Sequence, residues 1–409
     1  MSHVHKNACR ICKGGDLVRF LSLGEHPPVD NFTDAAHCAD EKRYPLDVYF
    51  CRQCALVQLV DVVTQEELFH QNYAYFSSAS APLVEHFKSY AEDLKKDFLQ
   101  KNDLIVDIGS NDGILLQFLT DTCRVLGIEP SANVAEVARQ KGIETLDGFF
   151  TIEMAQRIVG KYGKAKVVTA NNVFAHIDDI DEIINAVLTL LADDGVFVSE
   201  SHYLLDLIER MEFDTIYHEH LCYYSVKPLQ HLFGRFGMEV FDVERVHTHG
   251  GSIRVFARRA TGETPRSSVR ELLALEEKAG LHTLARFSGF QKEADAIRDK
   301  LVSLVRGFNK EGKTVVAYGA PAKGNTLLNF CGFTAEDLKY VTDTTPQKIG
   351  LLTPGSHIPV VSPDILLTDT PDYILLLAWN YREFILKKEG ALRDRGAKFI
   401  IPIPKVEIV

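Results

Sequence analysis

Between residues 103 and 259, short apolar runs alternate with amphipathic stretches. The run 104–108, Leu-Ile-Val-Asp-Ile, has the length and composition of a strand buried on both faces. A polar turn follows at 109–113, and the apolar positions of 114–119 then predict a helix. Further strands are predicted at 125–129, directly before 145–150, at 166–172 and at 195–200, and an antiparallel hairpin at 238–246 and 252–258. The alternation predicts an α/β fold with a seven-stranded, mostly parallel sheet.

The polar turn begins and ends with glycine, and two carboxylates, Asp107 and Asp112, belong to the same segment. Glycine lets a ligand approach the backbone, and the following helix N-terminus offers N–H groups. A dinucleotide site would repeat glycine as GxGxxG and bind a pyrophosphate, whereas these acids would repel phosphate and attract a cation. The second strand ends at Glu129, whose carboxylate suits the two hydroxyls of a ribose. A cationic adenosyl ligand without phosphate is S-adenosylmethionine, and the two elements resemble the donor site of class I methyltransferases. The alternative is an ordinary doubly wound domain with a glycine turn.

In open α/β sheets, ligands bind outside the carboxyl ends of the strands. We therefore expect contacts with the methyl donor from the residues at these ends, which are Asp107, Gly109, Asn111, Asp112, Gly113, Glu129, Pro130, Asp147, Phe149, Asn171 and Asn172.

The chain divides by pattern into four parts. Residues 1–66 predict a small lobe, and residues 67–262 a Rossmann-like methyltransferase domain with a helical lead-in at 67–100. Residues 263–312 predict a linker of long helices, and residues 313–409 a smaller Rossmann-like α/β domain. The lead-in is interrupted by an aromatic and hydroxyl-rich segment, 72–80, which we expect to line a substrate pocket; the alternative is a packed turn between two helices.

Two CxxC pairs, Cys9 with Cys12 and Cys51 with Cys54, predict a zinc site in the first lobe. Four thiolates complete tetrahedral coordination, so the ion would be structural rather than catalytic. Metal binding would then supply much of the folding free energy of a lobe with little core of its own. The alternative is four unpaired thiols.

Composition narrows the class of protein. Of 409 residues, 46% are hydrophobic and 25% are charged, and the net charge is −11. An acidic chain is a poor partner for nucleic acid, which requires a basic surface. No apolar run reaches the ~20 residues that span a bilayer, and the N-terminus lacks the apolar core of a signal peptide. We expect a cytoplasmic protein that binds neither membranes nor nucleic acid.

The second α/β unit begins with a strand and the turn Tyr-Gly-Ala-Pro-Ala-Lys-Gly-Asn at 318–325. This turn contains a lysine and no acid, so it favours an anionic ligand, most simply a phosphate of the substrate. The alternative is a structural helix cap with a solvated lysine. The expected contacts are Tyr318, Lys323 and Asn325.

A cluster of titratable side chains, Tyr217-His218-Glu219-His220, lies between the fifth strand and the hairpin, and His176 follows the fourth strand. A histidine can act as a base near neutral pH, and Glu219 or Tyr217 could orient it or hold an oxyanion. Three alternatives remain: a second metal site, satisfied core histidines, and solvated loop residues. If the segment is extended, His218 and His220 lie on one side and Tyr217 and Glu219 on the other.

Several motifs occur together in a fixed order: the two CxxC pairs, Tyr-Ala-Tyr-Phe-Ser-Ser-Ala-Ser at 73–80, the glycine turn at 106–116, Tyr-His-Glu-His at 217–220, His-Gly-Gly-Ser-Ile-Arg at 249–254 and the lysine turn at 318–324. In this combination the chain resembles the nucleotide-sugar C-methyltransferases, over nearly its whole length. The chain departs from the family pattern at two positions: His218 replaces what is often an acid, and Phe76 precedes the serine pair. Both departures could alter which sugar fits.

The resemblance implies a base at His220, with Tyr217 and Glu219 beside it, a second active-site histidine at His176, and a substrate tyrosine at Tyr75. Further substrate contacts are implied at Tyr73, Ser77, Ser78, His249 and Arg254. The implied substrate is a TDP- or GDP-linked 4-keto-6-deoxyhexose, methylated most simply at C-3 through an enolate. The alternatives are an O- or N-methyltransferase with the same donor site, and a non-catalytic zinc-containing binding protein. We expect a monomer.

Overall fold

The computed structural model describes residues 3–68 and 76–409. Its N-terminal part is built from antiparallel strands, a 3₁₀ turn at Cys38–Asp40 and one short α-helix. These elements are β1 (His3–His5), β2 (Leu17–His26), β3 (Tyr44–Cys51), β4 (Val57–Leu59), β5 (Asp61–Val63) and α1 (Gln65–Leu68).

The central part alternates strands and helices, as the apolar pattern predicts. Its elements are α2 (Ala81–Asp97), β6 (Leu104–Ile108), β7 (Arg124–Glu129), α3 (Ala132–Gln140), β8 (Thr145–Asp147), α4 (Ile152–Tyr162), β9 (Ala165–Asn171), α5 (Ile180–Leu190), β10 (Leu191–His202), α6 (Leu204–Glu209), β11 (Cys222–Tyr223), α7 (Val226–Arg235), β12 (Met238–Val246) and β13 (Ser252–Arg259). Seven of the strands form one sheet in the order β12-β13-β10-β9-β6-β7-β8. Strands β6 to β10 pair in parallel, while β12 and β13 form the predicted antiparallel hairpin. The predicted fold class is confirmed.

Both faces of this sheet are covered, which explains the uninterrupted apolar run in β6. Ile105 and Val167 face a core that includes Phe87 of α2. Val106 and Val168 face the opposite core, beneath α4 and α5. A strand between two helical layers needs apolar side chains at successive positions rather than at alternate ones.

The helix predicted at 114–119 is wrong. Asn111 and Gly113 adopt left-handed conformations, with φ of 51° and 77°, and the only helical element that follows is a 3₁₀ turn at Leu116–Phe118. The weak helix formers Thr120, Asp121 and Thr122 follow after Leu119, so the turn is not extended into an α-helix. Its leucines are nevertheless buried, and it packs on the sheet where a helix would lie.

Two long helices and a second α/β unit complete the chain. The elements are α8 (Ser267–Lys278), α9 (Phe290–Lys310), β14 (Val315–Tyr318), α10 (Ala322–Cys331), β15 (Val341–Thr342), β16 (Val360–Val361), β17 (Tyr373–Leu376), α11 (Arg382–Lys388), α12 (Gly390–Asp394), β18 (Lys398–Ile401) and β19 (Glu407–Ile408). Strands β16-β15-β14-β17-β18 are parallel, and β19 closes the edge antiparallel.

The helix α8 packs on α7 and β12 of the central unit, and α9 packs on β14 and α10 of the second unit. Glu276 of α8 is fully buried, accepts a hydrogen bond from the backbone N–H of Val226 at the start of α7 (2.7 Å), and accepts another from the Tyr203 hydroxyl (3.1 Å). The division of the chain at residues 66, 262 and 312 stays a prediction. Within residues 3–68 and 76–409, none of the helices combines the length and apolar content needed to cross a bilayer.

Candidate active site

A cavity of about 1760 Å³ lies at the carboxyl ends of β6, β7, β9 and β10. Its walls include the donor-type loops of the central sheet, residues 30–32 and 62–64 of the N-terminal part, and the loops after β14, β15 and β17 of the second α/β unit. A cavity of this size can hold two ligands at once.

The loop after β6 and the end of β7 form one wall through backbone hydrogen bonds. The N–H of Gly109, with φ of 65°, donates to the carbonyl of Ile128 (2.8 Å). Glu129 accepts from the N–H of Asn111 at one oxygen (3.0 Å) and from the N–H of Ser131 at the other (2.8 Å). Each carboxylate oxygen retains a lone pair for a ligand hydroxyl, so the geometry suits a ribose.

Polar atoms of β6 and β9 line the same wall. Asp107 is buried and accepts from the Thr169 hydroxyl (2.6 Å) and the Asn171 amide (3.2 Å). Burial raises the pKa of Asp107 to about 7, and the charge of Glu129 adds to this effect. In the described part of the chain, no donor reaches the buried Oδ1 atoms of Asn171 and Asn172. A bound cation with polar hydrogens would satisfy these acceptors, so the residues present fit S-adenosylmethionine.

Pro130 and Phe149 also line the cavity, and Phe149 is 49% exposed, as a stacking partner for a base would be.

Three predicted donor contacts do not line the cavity. Asp112 is buried against Lys141 (3.1 Å), Gly113 lies behind the loop against Ile143, and Asp147 points outward to Arg139 (3.0 Å). Distant lysine and arginine side chains neutralise the two carboxylates, which removes them from the donor site.

The predicted acceptor cluster is a turn rather than an extended segment. The N–H of His220 donates to the carbonyl of Tyr217 (2.8 Å), which places the rings of Tyr217 and His220 with centroids 3.9 Å apart. Tyr217, Glu219 and His220 therefore all face the cavity. His218 points away, with its Nε2 near the backbone carbonyls of Tyr44 and Pro45. The expectation that His218 and His220 share a side applied only to an extended segment; because the segment is a turn, the two side chains point in different directions.

The orientation of His220 is fixed by the backbone. Its Nδ1 lies 2.8 Å from the carbonyl oxygen of Thr215, which can only accept. Nδ1 therefore carries the hydrogen, and Nε2 is the basic nitrogen. The predicted orienting role of Glu219 is thus filled by a carbonyl group.

Two further imidazoles surround His220. The His176 ring lies perpendicular to it with centroids 4.9 Å apart, and the His202 ring lies 5.0 Å away. Burial lowers the pKa of His176 to about 4, so this side chain is neutral near pH 7. A neutral imidazole still carries one N–H group, and this group can donate a hydrogen bond to a developing oxyanion.

Glu219 occupies another part of the wall, between the N-terminal and C-terminal parts. Burial raises its pKa well above the usual range; the Asp30 carboxylate adds to this, and the Lys348 ammonium opposes it. Burial therefore favours the protonated carboxyl of Glu219, a form that can donate a hydrogen bond to a ligand.

The second α/β unit repeats the geometry of the donor loop at the opposite wall. The N–H of Gly319 donates to the carbonyl of Thr342 (2.7 Å), and Asp343 accepts from the N–H groups of Ala320 (2.7 Å) and Thr345 (2.8 Å). These three bonds match those of Gly109 and Glu129 one for one. The loop therefore presents a carboxylate that also has lone pairs for ligand hydroxyls.

Lys323 lines the cavity beside this loop. Its buried Nζ has no hydrogen-bond partner in the described part of the chain, and it lies 4.9 Å from the centroid of the Trp379 ring. Burial raises the pKa of the nearby acids Glu212 and Asp214 to about 8 and about 6, and the charge of Lys323 opposes this rise at both. Tyr318 also lines the wall, and its hydroxyl donates to Glu389 (2.7 Å).

Three predicted substrate contacts lie elsewhere. Arg254 is buried in the sheet and pairs with Glu200 (2.9 Å), and Asn325 donates to the carbonyl of Val29 (2.7 Å). Ser78 accepts from Lys141 (3.1 Å), away from the cavity. In each case a partner distant in sequence already uses the polar group.

Ser77, in contrast, lines the cavity, and its N–H donates to the Asn111 side chain (2.8 Å). The predicted residues Tyr73 and Tyr75 lie outside the described residues, as does the side chain of His249.

Sequence reasoning missed Asp30, His202, Asp343 and Lys348, which line the cavity. His202 follows the strand predicted at 195–200, and Asp343 follows β15 of the second parallel sheet, so the rule used for Asn171 could have found them. Asp30 and Lys348 lie in loops whose approach depends on tertiary packing, and no local signal marks them.

The four predicted zinc ligands are brought together. The Sγ atoms of Cys9, Cys12, Cys51 and Cys54 all lie within 4.8 Å of one another, as tetrahedral zinc requires. Three of these side chains are buried. Among residues 3–68 and 76–409, no other group of three or more His, Cys, Asp or Glu side chains is arranged to hold a metal, which argues against a second site at His218-Glu219-His220.

Three protein families match this chain. They are described as a zinc binding domain over residues 9–69, a methyltransferase domain over residues 83–243, and a C-methyltransferase C-terminal domain over residues 247–404. The C-methyltransferase NovU of Streptomyces niveus is 38% identical over 405 residues, which cover 98% of this chain and 96% of NovU.

Solved structures of methyltransferases also match. Magnesium protoporphyrin IX methyltransferase ChlM from Synechocystis PCC 6803 is 16% identical and covers 43% of this chain and 83% of its own, with a TM-score of 0.35. The mitomycin 7-O-methyltransferase MmcR is 20% identical and covers 45% of this chain and 56% of its own, also with a TM-score of 0.35.

Proposed function

This chain belongs to the S-adenosylmethionine-dependent C-methyltransferases, and from that membership we propose that its acceptor is a nucleoside-diphosphate 4-keto-6-deoxyhexose. The methyl group is added at C-3, the carbon next to the ketone. The observation that carries the proposal is the fixed tautomer of His220, whose basic Nε2 belongs to a ring that lines the cavity shared by both loops.

Methylation of carbon requires a base, because the carbon must first become an enolate. The ketone acidifies the neighbouring C–H, and His220 Nε2 takes that proton. The Tyr217 hydroxyl and the neutral His176 ring donate hydrogen bonds to the enolate oxygen. S-adenosylmethionine supplies the electrophilic methyl group. The new carbon–carbon bond forms as the carbon–sulfur bond breaks, and the proton on His220 leaves to water.

Contacts at the two walls align the reacting atoms, and this alignment accounts for much of the rate acceleration. Glu129 holds the ribose of the donor, while Asp107 and Asn171 face its cationic end. At the opposite wall, Lys323 binds the diphosphate of the sugar nucleotide, a TDP or GDP sugar. The Nζ of Lys323 is buried and has no hydrogen-bond partner among residues 3–68 and 76–409, which supports this assignment.

The test compares His220→Asn with His231→Asn, which removes an exposed histidine of α7. Wild-type enzyme is incubated with TDP- and GDP-4-keto-6-deoxy sugars and labelled donor, and NMR locates the new methyl group. We expect His220→Asn to abolish both methyl transfer and solvent exchange of the α-hydrogen, while donor binding by calorimetry stays unchanged. His231→Asn should alter none of these.

Persistence of exchange and transfer in His220→Asn would contradict the base assignment. A methyl group bonded to oxygen or nitrogen in the product would contradict carbon methylation of the sugar.

A further inference from the structure

We propose that Arg10, which lies between the two cysteines of the first CxxC pair, is a positioning residue for His176 and His220. The role of the two histidines rests on the function proposed above. The contacts of Arg10 are independent of that function.

The guanidinium of Arg10 is almost fully buried, with 2% of the side chain exposed. Its Nε donates to Asp178 Oδ1 (3.0 Å), and its Nη1 donates to the Gln58 side chain (3.2 Å) and to the carbonyl of Leu59. A planar guanidinium can make these bonds in fixed directions at once, which a lysine ammonium cannot.

From Leu59 a line of hydrogen bonds leads to both histidines. The N–H of Leu59 donates to the carbonyl of Leu221 (3.0 Å), and the N–H of Leu221 donates to the carbonyl of Ala175 (2.8 Å). Leu221 directly follows His220, and Ala175 directly precedes His176. The line therefore passes next to both imidazoles that surround the proposed reaction centre.

The second contact of Arg10 approaches His176 from its other side. Asp178 lies two residues after His176 and lines the same cavity. Arg10 thus holds the His176 segment at both flanks, through Ala175 and through Asp178. Lys6 also pairs with Asp178 (2.7 Å), so the carboxylate keeps a cationic partner when Arg10 is replaced. Loss of Arg10 then tests geometry rather than an uncompensated charge.

The chain provides a matched control. Arg52 follows the first cysteine of the other CxxC pair, as Arg10 does in its own pair. The side chain of Arg52 is 53% exposed, and its Nη1 lies 3.6 Å from the Asp16 carboxylate. Arg10→Met and Arg52→Met therefore make the same substitution at equivalent positions of the zinc site.

We expect Arg10→Met to keep its zinc and its affinity for the donor, and to lose about 10- to 100-fold in kcat because the imidazoles shift relative to the substrate. Arg10→Lys should restore little of the loss. Arg52→Met should match the wild type in every measurement. Asp178→Asn, which is nearly isosteric, should also lower kcat without changing the KM for the donor. This variant replaces Arg10→Met in the test if Arg10→Met does not fold.

A second readout does not depend on the reaction. NMR of histidine-labelled enzyme, with His176 and His220 identified by single substitutions, should show shifted imidazole signals in Arg10→Met and Asp178→Asn and unshifted signals in Arg52→Met. If no sugar is turned over by the wild type, the proposed function fails and these spectra still decide the role of Arg10. The proposal would be overturned if Arg10→Met had the same spectra and the same kcat as the wild type. If Arg10→Met does not fold, the same result in Asp178→Asn would overturn it.

Discussion

Asp107 offers a quantitative test of the electrostatics of the donor wall. Burial raises its pKa from 3.8 to about 7. The folded protein therefore prefers the protonated carboxyl, so its contribution to stability is fully present below pH 3.8 and is lost as the pH rises through about 7. The difference between folded and unfolded pKa corresponds to about 4 kcal/mol in total, of which roughly 2–3 kcal/mol is lost between about pH 5 and about pH 8.

Asp107→Asn removes this dependence while keeping an Oδ1 acceptor for Thr169 and Asn171. The difference in unfolding free energy between variant and wild type should therefore grow in favour of the variant by roughly 2–3 kcal/mol from about pH 5 to about pH 8. Denaturant unfolding of the zinc-loaded, donor-free proteins measures this. Asp97→Asn, at the exposed end of α2, is the control and should show no such trend. A difference for Asp107→Asn that stays constant across this range would refute the reasoning.

Three further predictions concern the metal, the donor and the anion. Cys51→Ser should lower both the zinc content and the thermal midpoint, because three thiolates hold a tetrahedral ion incompletely; full zinc occupancy by mass spectrometry would contradict this. Gly109→Ala should weaken donor binding measured by calorimetry, because the φ of 65° costs a side chain about 1–2 kcal/mol and the new Cβ would lie 2.4 Å from Val173 Cγ2. Val173→Ala should relieve the steric part only, and wild-type affinity in Gly109→Ala would count against the loop geometry. Lys323→Met should raise the KM for the sugar nucleotide at least about 10-fold without changing the KM for the donor. Lys405→Met, at an exposed site, should change neither value. Equal KM values for the sugar nucleotide in the two variants would contradict an anion site at Lys323.

Features with a strong local signal could be predicted from the sequence. The apolar run of β6 identified a strand buried on both faces, and the spacing of the CxxC pairs identified the four thiols. The glycine turn and Glu129 located one wall of the cavity, because strand ends in a parallel sheet share an edge.

The remaining differences arise from contacts between distant residues. Asp112 and Arg254 carry charges that suit a ligand, and only the folded chain shows that Lys141 and Glu200 already neutralise them. The segment 217–220 could be extended or turned with the same residues. The bond from the His220 N–H to the Tyr217 carbonyl decides between the two, and no side-chain pattern encodes it.

The strand β11 has a consequence for building chimeric enzymes. Although it follows His220 in the chain, it pairs with β4, in a sheet of order β11-β4-β3-β2. A graft that exchanges the first 66 residues would replace β4, so β11 would have to pair with a strand from another protein. The side chains of that strand would then set the register of β11. The transplantable module is therefore discontinuous, and it must carry residues 221–224 together with the cysteine-bearing segment.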